Sequence, residues 1–322
     1  VGLLWLAFFV LVGLLLALDL FVFHRRPAQV SLRAAVGWSI FWIGLGVAWT
    51  GVVYLVYEHH WWGQTIARTG REPWSDGTLA AIQYLTAYLL EKSLSLDNIF
   101  VMVAVFGWFK VKPRYQHRIL FWGIIGAIAA RAGLLIAGVW LVKRFTWTFY
   151  IFGGILCITG IRMLLGSGEP DSAEDSRIVR FLRRHLRITT TDHDGAFVTR
   201  ENGKLVLTTL ALALIVIEIS DLVFAVDSVP AVLGVSAETF IVITSNVFAI
   251  LGLRSLYFVL ADMIQRFRHL GPALAVLLVV IGAKMLLHSA VEVPNLAALG
   301  AVVVVVTGGI LSSLISSRGE AD

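Results

Sequence analysis

Cysteine is nearly absent: Cys157 is the single one in 322 residues, so an internal disulfide is excluded and a small core residue is expected there. Charge is scarce as well. Asp, Glu, Lys and Arg make up 15% of the chain against 58% hydrophobic residues, whereas a soluble domain carries about a quarter charged. A soluble fold would have to bury almost everything. The alternation of a membrane β-barrel strand is also missing. No Gly-x-x-x-x-Gly-Lys-Ser/Thr loop occurs, which excludes ATP as an energy source within this chain. No Gly-x-Gly-Asp, His-Glu-x-x-His or Ser/His arrangement supports an intramembrane hydrolase, so the chain does not read as an enzyme.

What is present is a series of long apolar runs, each able to cross a hydrocarbon core about 30 Å thick. Nine are read: 2–23, 35–57, 78–109, 119–142, 146–165, 206–234, 239–263, 273–289 and 296–315. In lipid every backbone polar group must be satisfied internally, and without barrel alternation only helices achieve this. The expected fold is all-α, a polytopic membrane protein in the bilayer. The first run is too long for the core of a signal peptide, and His24-Arg25-Arg26-Pro27 follows it instead of a small-residue cleavage site. Val1 stands where Met would open a chain, so a reread start codon or a truncation is expected.

The net charge of +5 needs no nucleic acid to explain it, because cytoplasmic loops collect Lys and Arg. Basic residues crowd the connections 24–33, 110–118, 166–204 and 264–271, while 235–238 and 290–295 have none. That alternation predicts an outer N-terminus and a cytoplasmic C-terminus. Within 166–204, Arg177, Arg180, Arg184 and Arg187 fall on one helical face, as in a short basic helix lying on an anionic leaflet. The following Phe197–Val206 stretch reads as a hairpin around Asn202-Gly203.

An internal repeat organises the chain. Gly160-Ile161-Arg162-Met163-Leu164-Leu165 matches Gly282-Ala283-Lys284-Met285-Leu286-Leu287. Arg131 lies 31 residues before Arg162, and Arg254 lies 30 before Lys284. Asp97 and Phe100 match Asp221 and Phe224. The predicted units are an N-terminal pair of helices with an outer loop (1–77), a three-helix repeat (78–165), a cytoplasmic loop (166–205), a second three-helix repeat (206–289), and a last helix with its tail (290–322). An odd number of helices per unit inverts the second copy, as in secondary transporters.

Two acidic clusters interrupt these apolar runs: Glu91-Lys92-Ser93-Leu94-Ser95-Leu96-Asp97-Asn98, and Glu218-Ile219-Ser220-Asp221 continuing to Asp227-Ser228-Val229-Pro230. A carboxylate at the centre of a membrane helix costs about 2.5–3.5 kcal/mol on insertion scales, and such residues mark ion or proton pathways. At 100° per residue, Glu91, Ser95 and Asn98 share one face and Glu218 and Asp221 share another, with Asp227 nearly opposite Glu218. Pro230 is expected to kink its helix and release the Val226 carbonyl. The donors are all oxygen, which suits Mg²⁺, Ca²⁺ or Mn²⁺. Glu91, Asp97, Asn98, Glu218, Asp221 and Asp227 are the candidate metal ligands. Arg131, Arg254 and Lys92 are expected to neutralise them. Asp19 and Asn246 are candidates for the ion path. Glu58-His59-His60 beside Trp61-Trp62, and Thr191-Asp192-His193-Asp194-Gly195, are weaker metal candidates that read as an interfacial belt and a turn.

These motifs, with Ser245-Asn246-Val247-Phe248-Ala249-Ile250-Leu251-Gly252-Leu253-Arg254-Ser255-Leu256-Tyr257-Phe258 and Ala17-Leu18-Asp19-Leu20, resemble the TerC family, in particular its Alx-like subgroup, along nearly the whole chain. The resemblance implies a bacterial inner-membrane protein of manganese homeostasis, with Mn²⁺ as the exported ion and no permanently bound cofactor, and with the intramembrane acids as its site. Tellurium resistance and redox modulation are the family's older labels. Exporting a divalent cation against an inside-negative potential costs about 4.6 kcal/mol per 100 mV, twice the unit-charge figure. Protons entering through the same carboxylates could drive it, so proton antiport is the expected mechanism. The alternative is a non-transporting scaffold or stress and redox modulator with membrane-protein partners.

Overall fold

The computed structural model describes residues 2–24, 32–66, 74–145, 147–165, 184, 188–189, 195–201, 204–261, 270–287 and 294–319. Helix α1 (Gly2–His24) and α2 (Leu32–Glu58) come first, followed by a short 3₁₀ turn, Trp61–Gly63. Next are α3 (Asp76–Trp108), α4 (Pro113–Arg144) and α5 (Thr148–Leu164). Strands β1 (Ile188–Thr189), β2 (Val198–Glu201) and β3 (Lys204–Thr208) precede α6 (Thr209–Leu233). Then come α7 (Thr239–Ile250), α8 (Leu253–Ala261), α9 (Leu270–Leu286) and α10 (Asn295–Gly319).

The distribution of side chains inverts that of a soluble protein. Leu14, Trp140 and Val304 are 64%, 63% and 70% exposed, while Glu91, Arg131 and Arg254 are at most 1% exposed. Apolar outside and charged inside is a stable arrangement only where the surroundings are lipid. Among the described residues, five helices are long and apolar enough to cross a membrane: α1, α2, α4, α6 and α10. A sixth span is the α7–α8 pair, which bends by 41°. Helices α5 and α9 are apolar but only 17 residues long, and α3 carries polar residues through its middle.

Local chemistry sets the helix ends. Ser75 caps α3, its hydroxyl accepting from the Thr78 amide at 3.3 Å, and Glu58 accepts from the Gly77 amide at 3.0 Å. Pro113 opens α4, where its missing N–H costs nothing. Thr208 caps α6. Helices α2 and α3 meet closely, Tyr84 donating to the Gly46 carbonyl at 2.9 Å, and a Cβ on Gly46 would strike the Tyr88 ring. Trp5, Phe8, Trp49, Phe240 and Phe248 form one aromatic cluster joining α1, α2 and α7.

Three expectations change. The run 206–234 begins as strand, and its helix starts at Thr209. The run 239–263 is two helices broken at Leu251-Gly252, where Gly252 takes a φ of +79°, a conformation that costs a glycine nothing. A side chain there would also collide with Trp42. Conversely, α6 continues through Pro230 to Leu233, because a proline in the last turn forfeits little of the helix. The two strands of the hairpin are present, β2 pairing antiparallel with β3 with Glu201 and Lys204 in register, while Asn202 and Gly203 lie outside the described residues. The hairpin docks on α4, where Arg118 donates to the Gly195 carbonyl at 2.9 Å and lies over the Phe197 ring. The amphipathic helix read at 177–187 lies outside the described residues except Arg184.

Helices α5 and α9 make the closest approach in the bundle. A Cβ on Gly153 would meet the Gly282 carbonyl, and one on Gly160 the Ala275 carbonyl. A Cβ on Gly282 would meet Cys157, whose Sγ lies 3.9 Å from the Val279 carbonyl. Gly282→Leu is therefore expected to force the pair apart and destabilise the protein by about 1–3 kcal/mol, the usual range for overpacking, read as a lower thermal midpoint in detergent. Gly154→Leu, which meets open space, is the control and should shift it far less.

Candidate functional site

Three helices bring a polar cluster into the apolar interior. Spacings of four and three place Glu91, Ser95 and Asn98 on one face of α3. Helix α4 supplies Arg131, and α6 supplies Glu218, Asp221 and Ser228. The Arg131 guanidinium grips Asp221 with two bonds, Nη2 to Oδ1 at 2.6 Å and Nε to Oδ2 at 3.0 Å, the fork geometry that makes such pairs strong. Its Nη1 pairs with the Glu91 carboxylate and reaches the Ser228 hydroxyl at 3.4 Å. Asn98 donates to Asp221 Oδ1 at 2.7 Å, and its own Oδ1 is buried with no hydrogen-bond partner among the described residues.

Beside this cluster is a cavity of about 10 Å³ lined by Ser95, Asn98, Met102, Gly123, Arg131, Glu218 and Asp221, among others. That is room for roughly one water-sized particle. Small residues of α4 create it. A Cβ on Gly126 would overlap the Glu218 carboxylate, so the glycine lets that side chain lie flat against α4. Ile250 and Leu253 close the cavity from the two sides of the α7–α8 break.

The break has its own charge. Lys92, next to Glu91, donates to the carbonyls of Ala249 and Leu251 at 3.0 and 3.4 Å. These belong to the C-terminal end of α7, where carbonyls lack intrahelical partners and the helix dipole is negative. Lys92 thus caps a helix end, a role that its sequence reading did not include. The discontinuous helix expected at Pro230 exists instead at Gly252.

Asp227 stands apart. It lies six residues beyond Asp221, about 240° around an uninterrupted helix, and accepts from Thr159 of α5 at 3.0 Å. Arg254 has a carboxylate partner on another helix: its Nη2 lies 2.8 Å from Asp19 Oδ2, with both side chains buried. Asp19, a candidate for the ion path, is enclosed within the bundle. Asn246 is buried in α7, and its Nδ2 has no hydrogen-bond partner among the described residues. Asp97 falls within α3, but its side chain lies outside the described residues, as do Thr191–Asp194. Glu58 is engaged at the start of α3, His59 at the Leu55 carbonyl and His60 at the Gln64 carbonyl. Among the described residues, no three His, Cys, Asp or Glu side chains form a ready metal shell; Glu91 and Asp221 flank a guanidinium instead. Sequence reasoning missed Ser228 and the glycines 123 and 126. Ser228 sits inside a motif already singled out, but nothing in the sequence distinguished the two glycines from ordinary packing residues.

Comparison with known proteins bears on this arrangement. Residues 76–321 match the family model described as integral membrane protein TerC family. An uncharacterized membrane protein of Myxococcus xanthus, STKORF319, is 41% identical over 98% of this chain and 93% of its own length. An Escherichia coli K12 protein named for a role as membrane-bound redox modulator, Alx, is 42% identical over 93% of this chain and 90% of its own. A Rickettsia felis uncharacterized membrane protein is 36% identical over 97% of each chain. No solved structure matches.

Removing one member of a buried ion pair costs about 3–5 kcal/mol, because its partner is left charged and uncompensated. Arg131→Gln should lower the thermal midpoint accordingly. The triple variant Arg131→Gln, Glu91→Gln, Asp221→Asn should recover most of that loss. Thermal unfolding of the purified proteins in one detergent checks both.

Proposed function

This chain belongs to the TerC family of integral membrane proteins, and on that premise we propose that it exports a divalent cation, Mn²⁺ above all, from the bacterial cytoplasm in exchange for protons. The observation that carries the reading is the one-ion-sized cavity bordered by Arg131, Glu218, Asp221 and Asn98, with Glu91 on the same guanidinium. With all three carboxylates ionised, one guanidinium would leave a charge of −2 (−3 + 1), the complement of one divalent cation. All of the donors are oxygen, matching a hard metal. Asp97 adds a further donor if its side chain turns to the same space.

In this reading Arg131 holds the place of a cation between Glu91 and Asp221, and the incoming metal displaces it. Protons arriving from outside neutralise the carboxylates and release the metal, after which Arg131 returns to the deprotonated pair. Asp227, away from this cluster, is then a proton or path residue and not a metal ligand. The transported metal is cargo, and no resident cofactor is invoked.

Nine crossings and two inverted repeats complete the proposal, with α3, α5 and α9 spanning the inner membrane alongside the longer helices. The contacts of α5 and α9 support the repeat. If Gly160 corresponds to Gly282, then Gly153 corresponds to Ala275 and Cys157 to Val279. The Gly153–Gly282 and Gly160–Ala275 contacts then exchange, and Cys157 meets its own counterpart. A pseudo-two-fold axis between α5 and α9 produces that pattern, and rocking about it gives alternating access. The basic connections put the N-terminus outside and the C-terminus in the cytoplasm.

The name of the E. coli relative favours a second reading, a modulator of membrane redox state that carries no ions. With one cysteine, that role could not rest on an internal dithiol. The two readings separate in liposomes containing the purified protein alone, a manganese-sensitive dye and an imposed pH gradient. Export predicts Mn²⁺ flux that follows the gradient and is lost in Asp221→Asn. Flux no greater than in protein-free liposomes would favour the modulator.

A further inference from the structure

Arg254 is the second fully enclosed guanidinium of the bundle, and it stands next to the cavity without entering it. The preceding residue, Leu253, lines the cavity. The Arg254 guanidinium lies 6.0 Å from the ring of Phe121, which shares a face of α4 with the cavity-lining Ile124 one turn on. On the far side, Lys92 ties Glu91's own turn of α3 to the break that begins α8. A cation on a long, flexible stem is thus placed within the same wall as the carboxylates. What holds it elsewhere is α1, a helix outside both repeats. Asp19 takes Nη2 through its carboxylate at 2.8 Å and again through its backbone carbonyl.

We propose that Asp19 is a positioning residue that sequesters Arg254 and so keeps the acidic cavity selective for a divalent cation. The inference rests on the transport reading above. With Arg131 alone, the three described carboxylates, when all are ionised, leave −2. A second guanidinium would reduce this to −1 and occupy the volume that a metal needs. Asp19 therefore acts on metal affinity from outside the metal's contact shell, through the cation it withholds. Neutral asparagine keeps the shape but removes the counter-charge, leaving the Arg254 guanidinium uncompensated and attracted to the carboxylates of the cavity.

The test uses the full-length protein in liposomes, with Mn²⁺ flux measured against Mn²⁺ concentration. Asp19→Asn is expected to raise the apparent KM for Mn²⁺ by about 5- to 150-fold, the range of coupling between linked sites, with kcat changed less. Asp19→Asn combined with Arg254→Gln should return KM to near the wild-type value, whereas a purely structural role for Asp19 would move the thermal midpoint and leave the KM of the folded protein unchanged in both variants. Should Asp19→Asn fail to fold, the double variant and Arg254→Gln carry the test, and each should bind Mn²⁺ at least as well as wild type. A wild-type KM in Asp19→Asn, or weaker Mn²⁺ binding in Arg254→Gln, overturns the proposal while leaving Asp221-dependent transport standing. Loss of flux in the wild type itself would instead remove the reading beneath it.

Discussion

A guanidinium buried among carboxylates is the interaction on which this bundle depends. Arg131 alone joins α4 to Glu91 of α3 and to Asp221 of α6. In a low-dielectric interior each of these charges would be costly by itself, and their mutual attraction with added hydrogen bonds makes the set tolerable. Asn98 and Ser228 supply those bonds. The cluster is a poor means of gaining stability, since apolar residues would pack there as well or better. Its presence in an otherwise apolar protein is therefore what the proposed function has to account for.

The surrounding architecture serves that cluster. Gly126 and Gly123 open space on α4 where larger side chains would fill it. The α7–α8 break brings Ile250 and Leu253 to the cavity from two helix ends, and Lys92 satisfies the carbonyls that the break exposes. Irregular backbone at membrane depth is stable only when buried in protein or lining a cavity, and here it does both. On the other side of the bundle, α5 and α9 approach closely enough that glycine is required at 153, 160 and 282. Close backbone packing of this kind replaces the hydrophobic drive that lipid cannot provide between helices.

Charge segregation extends past the central cluster. The second buried arginine, Arg254, is held by a carboxylate from α1, so the first helix is more than a membrane anchor. Outside the bundle, the small sheet of β1, β3 and β2 rests on α4 through Arg118, Gly195 and Phe197. Gly195 has a φ of +82° and leaves no room for a side chain beside Tyr115. The described part of this connection, Gly195 and Phe197, is thus seated on the helix that carries Arg131.

Much of this was legible from residues alone. Apolar runs without barrel alternation required a helical membrane protein, because lipid offers the backbone no other partner. Carboxylates inside those runs marked the site, and helical spacing placed Glu91 with Asn98 and Glu218 with Asp221 on common faces. Other features depended on contacts between segments distant in sequence, which spacing along one helix does not encode. Proline suggested a break at 230, yet the break formed at Gly252, where Trp42 of α2 leaves no space for a side chain. Lys92 went to helix carbonyls, Arg254 to Asp19 and Asp227 to Thr159, since each buried charge takes the nearest complementary group and only tertiary packing decides which group that is. Composition and periodicity determined the solvent, the helices and the identity of the polar residues; the three-dimensional bundle decided their partners.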